Sequence, residues 1–188
     1  QMLFWLPLVG CTFKKTYQDP ILNRVVSPFI LPQDFVVSFS TDDLDTCPRA
    51  THIINMSPKD MKMRQISGFY RDVELKEPDY LDDKNSPLDD KSTYTQGLTK
   101  PTDSDEAPYE VYECHIDLDL VGFEHKEAEG EDEEEPTETG LPLPYIVTVE
   151  TGSKKVLSIR RNWKEEDQTY SKIQYFTHFK FVPGLGFY

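Results

Sequence analysis

Long apolar runs are missing from this sequence. The best candidate, Met2 to Val9, is broken by Pro7 and falls well short of the ~20 residues that a bilayer-spanning helix needs. Cysteine is scarce and odd in number. Cys11, Cys47 and Cys114 lie far apart, which supplies no disulfide framework and fits a reducing compartment, although any two of them are free to pair. Positive charge is in deficit, with 20 Lys and Arg against 34 Asp and Glu and a formal net charge of −14. A surface that wraps nucleic acid needs clustered cations to neutralise phosphates, and this balance argues against one. Catalytic signatures are absent as well. There is no His-Glu-x-x-His, no Gly-x-Ser-x-Gly elbow and no Gly-rich phosphate cradle, and the four histidines, His52, His115, His125 and His178, are widely spaced.

What is present is aromatic and acidic. Ten Tyr and eleven Phe in 188 residues can build a core, while a mean hydropathy of −0.58 keeps much of the chain in water. Residues 8–26 read as a β-hairpin, with Asp19-Pro20 and Asn23 as turn chemistry. Phe35–Phe39 and Thr51–Met56 read as strands separated by the acidic loop 41–45. Ser57-Pro58-Lys59-Asp60 is the clearest local signal: a Ser cap, Pro at the first helical position, and an anion in the first turn, with Gly68 to stop the helix. Tyr109–Leu120 alternates as a strand. Tyr112, Cys114, Ile116, Leu118 and Leu120 are expected to face the core, and Glu113, His115, Asp117 and Asp119 the solvent. Thr151-Gly152-Ser153 marks a hairpin between Tyr145–Glu150 and Lys154–Arg160. The last strand, Lys172–Val182, is expected to bury Ile173, Tyr175, Thr177, Phe179 and Phe181. The fold class is α+β, mainly antiparallel β-sheet with one or two short helices, in a single domain over 1–188. Acidic flexible inserts are expected at 76–107 and 124–140.

Three groups of residues bear on function. Glu113, His115, Asp117 and Asp119 have metal-ligand chemistry on one strand face, although the same composition suits an outer surface, and no metal or cofactor is assigned. Leu8-Val9-Gly10-Cys11 matches a bacterial lipoprotein cleavage pattern, so a surface lipoprotein anchored through Cys11 is the alternative function. The basic n-region and longer apolar stretch of such a signal are lacking, and Met2–Leu6 reads as the end of a helix. Arg160-Arg161-Asn162-Trp163 concentrates cation and aromatic in an acidic chain. Arg160, Arg161 and Trp163 are the candidate subunit-contact residues, with the cover of a strand end as the plainer role for Trp163. Enzymatic activity is not expected.

A collinear series of segments adds a family likeness. Leu6–Lys15 (LPLVGCTFKK), Asp34–Val37 (DFVV), Asp45–His52 (DTCPRATH), Tyr112–Leu120 (YECHIDLDL), Val156–Trp163 (VLSIRRNW) and Tyr175–Tyr188 (YFTHFKFVPGLGFY) together resemble portal proteins of short-tailed bacteriophages and related prophages. The likeness implies that the chain is the wing-region fragment of a longer polypeptide, a reading that Gln1 and the apolar, turn-rich Pro183–Tyr188 also prompt. It implies a homo-oligomeric ring, typically of twelve copies, at a capsid vertex of the virion. The implied partners are capsid, terminase and tail-adaptor proteins, with double-stranded DNA passing through the channel without sequence-specific binding. Assembly would take place in the bacterial cytoplasm, with no membrane involved.

Overall fold

The computed structural model describes residues 2–19, 23–39, 41, 43–78, 107–123, 125, 139–164 and 169–182. The described chain is mainly antiparallel sheet with two α-helices, as the α+β reading expects. In order, it forms α1 (Met2–Val9), β1 (Cys11–Lys15), β2 (Tyr17–Asp19), β3 (Arg24–Val26), β4 (Phe29–Ile30), a 3₁₀ turn (Pro32–Asp34) and β5 (Phe35–Val37). After these come β6 (Arg49–Met56), α2 (Pro58–Ile66), β7 (Tyr109–Leu118), β8 (Leu143–Glu150), β9 (Lys155–Arg161) and β10 (Phe176–Lys180). Three sheets result, ordered β10-β1-β4, β2-β3 and β5-β6-β7-β8-β9. No helix among the described residues is long and apolar enough to cross a membrane.

Contacts within 1–188 fall into two compact units. The first is drawn from Gln1–Ile53, Glu113–Val147 and Ile159–Tyr188, and the second from Ile54–Tyr112 and Thr148–Ser158. Most of the expected inserts at 76–107 and 124–140 lie outside the described residues.

The first unit has a core of Phe13, Ile30, Phe35, Val37, Leu44, Cys47, Ala50 and Phe176. Its rings interlock: Phe13 and Phe35 have centroids 4.5 Å apart, and Phe35 and Phe176 4.8 Å. The strand that carries Phe13 does not form the expected hairpin over 8–26. Only Tyr17–Asp19 and Arg24–Val26 pair locally, with Asn23 in the left-handed region that Asn tolerates. β1 pairs instead with β4 and with the distant β10, in register Cys11↔Lys180 through Lys15↔Phe176. The cause is burial on both faces. Thr12, Phe13 and Lys15 are all buried, so β1 is a central strand that needs two neighbours, and a local turn supplies one.

That register also corrects the last strand. Residues directly opposite in an antiparallel pair share a face, so Phe176 and His178 join Phe13 and Lys15. Phe176 is buried, Thr177 is exposed, and Phe181 is 55% exposed, the reverse of the expected alternation. His178 stacks on Phe13 with centroids 4.7 Å apart, on the apolar side of its strand.

The second unit packs Met56, Met61, Tyr70, Val111 and Leu157, with Phe69, Val73, Leu75, Ile54 and Tyr109 partly buried around them. Here the local signals hold. The Ser57 hydroxyl accepts a hydrogen bond from the Asp60 amide at 3.1 Å, opening α2, and Gly68 follows its end with φ +73. Replacing Ser57 by Ala should cost about 1 kcal/mol, while Asn at the same place, able both to accept from the Asp60 amide and to donate to its carboxylate, should hold the helix; urea unfolding of the pair checks this. In the β8–β9 turn the buried Glu150 carboxylate accepts from the amides of Gly152 and Ser153, at 2.7 and 2.5 Å. A Cβ on Gly152 would stand 2.9 Å from that carboxylate oxygen, so a larger residue there would require the Glu150 side chain to shift from its cap.

Candidate functional site

Two groups of candidate side chains emerge, both in the first unit. The one the sequence marks is at the end of β9. Arg161 is exposed, and its guanidinium carbon lies 5.8 Å from the centre of the Trp163 ring. Trp163 is half-buried and held edge-on by two tyrosines, Tyr145 at 5.2 Å and Tyr170 at 5.8 Å. Between them Asn162 is fully buried, its backbone N–H donating to the Pro144 carbonyl and its backbone carbonyl accepting from the Ile173 N–H, each at 2.9 Å. Arg160 is half-buried and acts on Tyr175, whose phenol is raised first by burial, then by Glu113, with Arg160 opposing. Of the three marked residues, Arg161 and Trp163 therefore come together as a fixed, partly exposed cation–aromatic pair. The same contacts make Trp163 a cover over the strand end, the plainer of its two expected roles.

The other group was hidden by an assumption about strand faces. On β7 the expected solvent face does not behave as one. Val111, Glu113 and His115 share a parity; Val111 and His115 are buried, and the Glu113 side chain is nearly so, while Asp117 and Asp119 are exposed. Tyr112, Cys114, Ile116, Leu118 and Leu120 are only partly covered. β7 is the central strand of its five-stranded sheet, and at this stretch a charged residue can turn inward because a counter-charge meets it. Lys15 of β1 forms an ion pair with Glu113, and His115 Nε2 lies 2.8 Å from the same carboxylate oxygen, Oε1. The Lys15 ammonium also sits over the Tyr17 ring, 4.7 Å from its centre, and 5.9 Å from that of Phe176.

Aromatic walls close the cluster. His115 meets Phe176 at 4.7 Å and Tyr175 at 5.6 Å, and His52 of β6 meets Phe176 edge-on at 6.2 Å. Burial pushes the Glu113 carboxyl up, but the His115 hydrogen bond and the Lys15 ammonium more than reverse this and hold it well below the usual carboxylate range. His115 is pushed down by burial despite Glu113. His52 is pushed down to about 4, by burial first and then by Lys15, with Glu113 opposing and His115 adding to the fall. Its Nδ1 is buried without a hydrogen-bond partner, which a neutral imidazole can present as a bare lone pair.

The candidate metal face is thus split, two of its residues being spent on Lys15 and two facing out. Among the described residues no group of three or more His, Cys, Asp or Glu converges to hold a metal. All three cysteines are free thiols. Cys47 is buried, donating to the Arg49 carbonyl at 2.9 Å and accepting from the Thr41 hydroxyl at 3.3 Å. Cys114 accepts from Thr51 at 3.6 Å. Cys11 opens β1 opposite Lys180, and its thiol is raised by burial with Lys180 opposing. No family model matches the sequence, and no curated protein matches it.

Proposed function

We propose that this chain is a structural piece of a phage portal ring, the vertex channel through which DNA is packaged and ejected, and that it acts through subunit contacts and not through catalysis. The ring itself comes from the ordered series of portal-like segments. The observation that carries the assembly reading is the Arg161–Trp163 pair, a rigid cation–aromatic surface on a chain of net charge −14. Pinned between Tyr145 and Tyr170, Trp163 loses little conformational freedom when a neighbour covers it. Ring closure needs heterologous contacts, in which one copy presents such a patch to a different patch on the next. The acidic balance supports passage of DNA without a grip on its phosphates. The one converging set of titratable groups described above is walled off by aromatics, which suits an internal tie better than a substrate site. Cys11 is bound into a strand and packed against the core, which does not favour a lipid-anchored alternative.

The test is the mass and shape of the full-length protein, by light scattering and negative-stain imaging. Rings with a central channel are expected, and Arg161→Glu should shift the population toward smaller species. A protein that stays a compact monomer overturns the ring. Rings that Arg161→Glu leaves unchanged remove this pair from the contact.

A further inference from the structure

Lys15, Glu113, His115 and His52 form a largely buried cluster that ties β1 to β7 and lies beside β6. One cation and one anion balance each other, and two imidazoles sit beside them behind the rings of Phe176 and Tyr175. We propose that this cluster is an acid-operated latch, which holds β1 against its neighbours while both imidazoles are neutral and lets go when they take up protons.

The geometry shows why protons are the trigger. With both imidazoles neutral the interior charge is zero. A proton on either His adds a positive charge beside the Lys15 ammonium in a largely desolvated site. A proton on Glu113 removes the acceptor shared by Lys15 and His115 and leaves the ammonium unbalanced. Each route of protonation weakens the attachment of β1.

The groups facing the two imidazoles come from several elements. They are Lys15 of β1, Glu113 of β7, His115 as it bears on His52, and Lys172, which precedes β10, bears on His115 and donates to the Cys47 carbonyl at 2.7 Å. Lys172 opposes protonation of His115, as Lys15 does, and Glu113 alone favours it. A third imidazole, His178 of β10, stacks on Phe13 and is pushed down by burial and then by Lys180, with Asp43 opposing. It belongs to the neighbouring apolar core and is the natural control.

The direction of the effect follows from linkage. His52 and His115 bind protons less readily folded than unfolded, so their contribution is complete above the ordinary imidazole value of 6.5 and is lost as pH falls through 6.5 toward the folded values, about 4 for His52. Glu113, held below its usual range, adds a loss of the same sign as pH falls below the ordinary carboxyl value of 4.5. This behaviour does not depend on the ring, since a single copy contains every group involved.

Hydrogen exchange read by mass spectrometry on the full chain, corrected for the pH dependence of chemical exchange, tests the latch at the amides of Thr12 to Lys15. Their protection should fall between pH 7 and pH 5 by about twentyfold from His52 alone, given its shift from 6.5 to about 4. In the double variant His52→Phe, His115→Gln, where Gln can still donate to Glu113, most of that fall should vanish. In His178→Phe, which keeps a ring on Phe13, it should persist. Protection that is flat with pH in the natural chain, or a fall abolished by His178→Phe and kept by the double variant, overturns the proposal. Should the double variant not fold, ¹³C-histidine titration of the natural chain decides instead. Imidazoles of His52 and His115 that protonate near 6.5 with β1 still protected are the overturning result, and ones that stay neutral until β1 opens support the latch.

Discussion

Lys15→Met should cost the first unit about 3–5 kcal/mol at neutral pH, the penalty of stranding one member of a buried ion pair. The substitution keeps the stem length of Lys15 among Phe176 and Tyr17, so lost packing contributes little. What it removes is the ammonium that balances Glu113. The carboxylate then has only the His115 hydrogen bond to replace its water, which is too little for a full charge. Trp5 and Trp163 both belong to the first unit, so tryptophan fluorescence in a urea titration reads the loss directly. The double change Lys15→Met, Glu113→Gln should recover a substantial part of it, because the neutral amide no longer needs the cation and still accepts from His115. An unchanged midpoint in Lys15→Met would mean that the pair is worth no more than an exposed one, about 0–1 kcal/mol.

The same pair explains what could and could not be read from the sequence. Elements whose cause is local were legible. Ser57-Pro58 and Asp60 specify the start of α2 within four residues, and Thr151-Gly152-Ser153 closes β8 on β9 because Glu150, one residue earlier, caps the turn. Elements whose cause is distant were not. Nothing near Thr12–Lys15 announces that its partner is Phe176–Phe179, and a run of good strand formers beside turn residues reads as a hairpin with the nearest partner. Alternation on β7 was sound as a pattern, yet the face with charges was assigned to water by default. Glu113 turns inward because Lys15 is there, and that fact belongs to the tertiary structure. One sign was available: Val111 shares the parity of Glu113 and His115, so the face was never wholly polar, and Lys15 shares the parity of Phe13 on β1. Two strands each carrying an inward ionisable residue of opposite sign beside an apolar one suggest a buried pair. At the candidate contact the sequence singled out Arg161 and Trp163 together, since the cation–aromatic pair is only two residues apart, but the flanking Tyr145 and Tyr170 depend on folding.

Phe13→Ala should be about as damaging as Lys15→Met, costing about 4 kcal/mol, toward the upper end for a buried aromatic. The surroundings cannot close over the gap. Phe13 is flanked by the Phe35 ring at 4.5 Å and the His178 ring at 4.7 Å, and it sits opposite Ile30 on β4 and His178 on β10. Rings and β-branched side chains anchored on paired strands have few rotamers with which to refill a void, whereas a methionine-lined core adapts. Phe13→Leu, which keeps most of the volume, should cost roughly 1.5 kcal/mol or less, and urea titrations of the two variants separate cavity from contact. A cost below ~1.5 kcal/mol for the alanine variant would show that the core is not packed tightly around this ring. The combination with Lys15→Met carries more information than either alone. Phe13 and Lys15 project from the same face of β1, and the Phe176 ring touches both neighbourhoods, 4.8 Å from Phe35 and 4.7 Å from His115. Once either change has loosened β1, the second acts on contacts already weakened, so the double loss should fall short of the sum by 1 kcal/mol or more. Such a shortfall is what one strand held at once by an apolar core and an ionic cluster requires, and strict additivity would assign the two to independent parts of the unit.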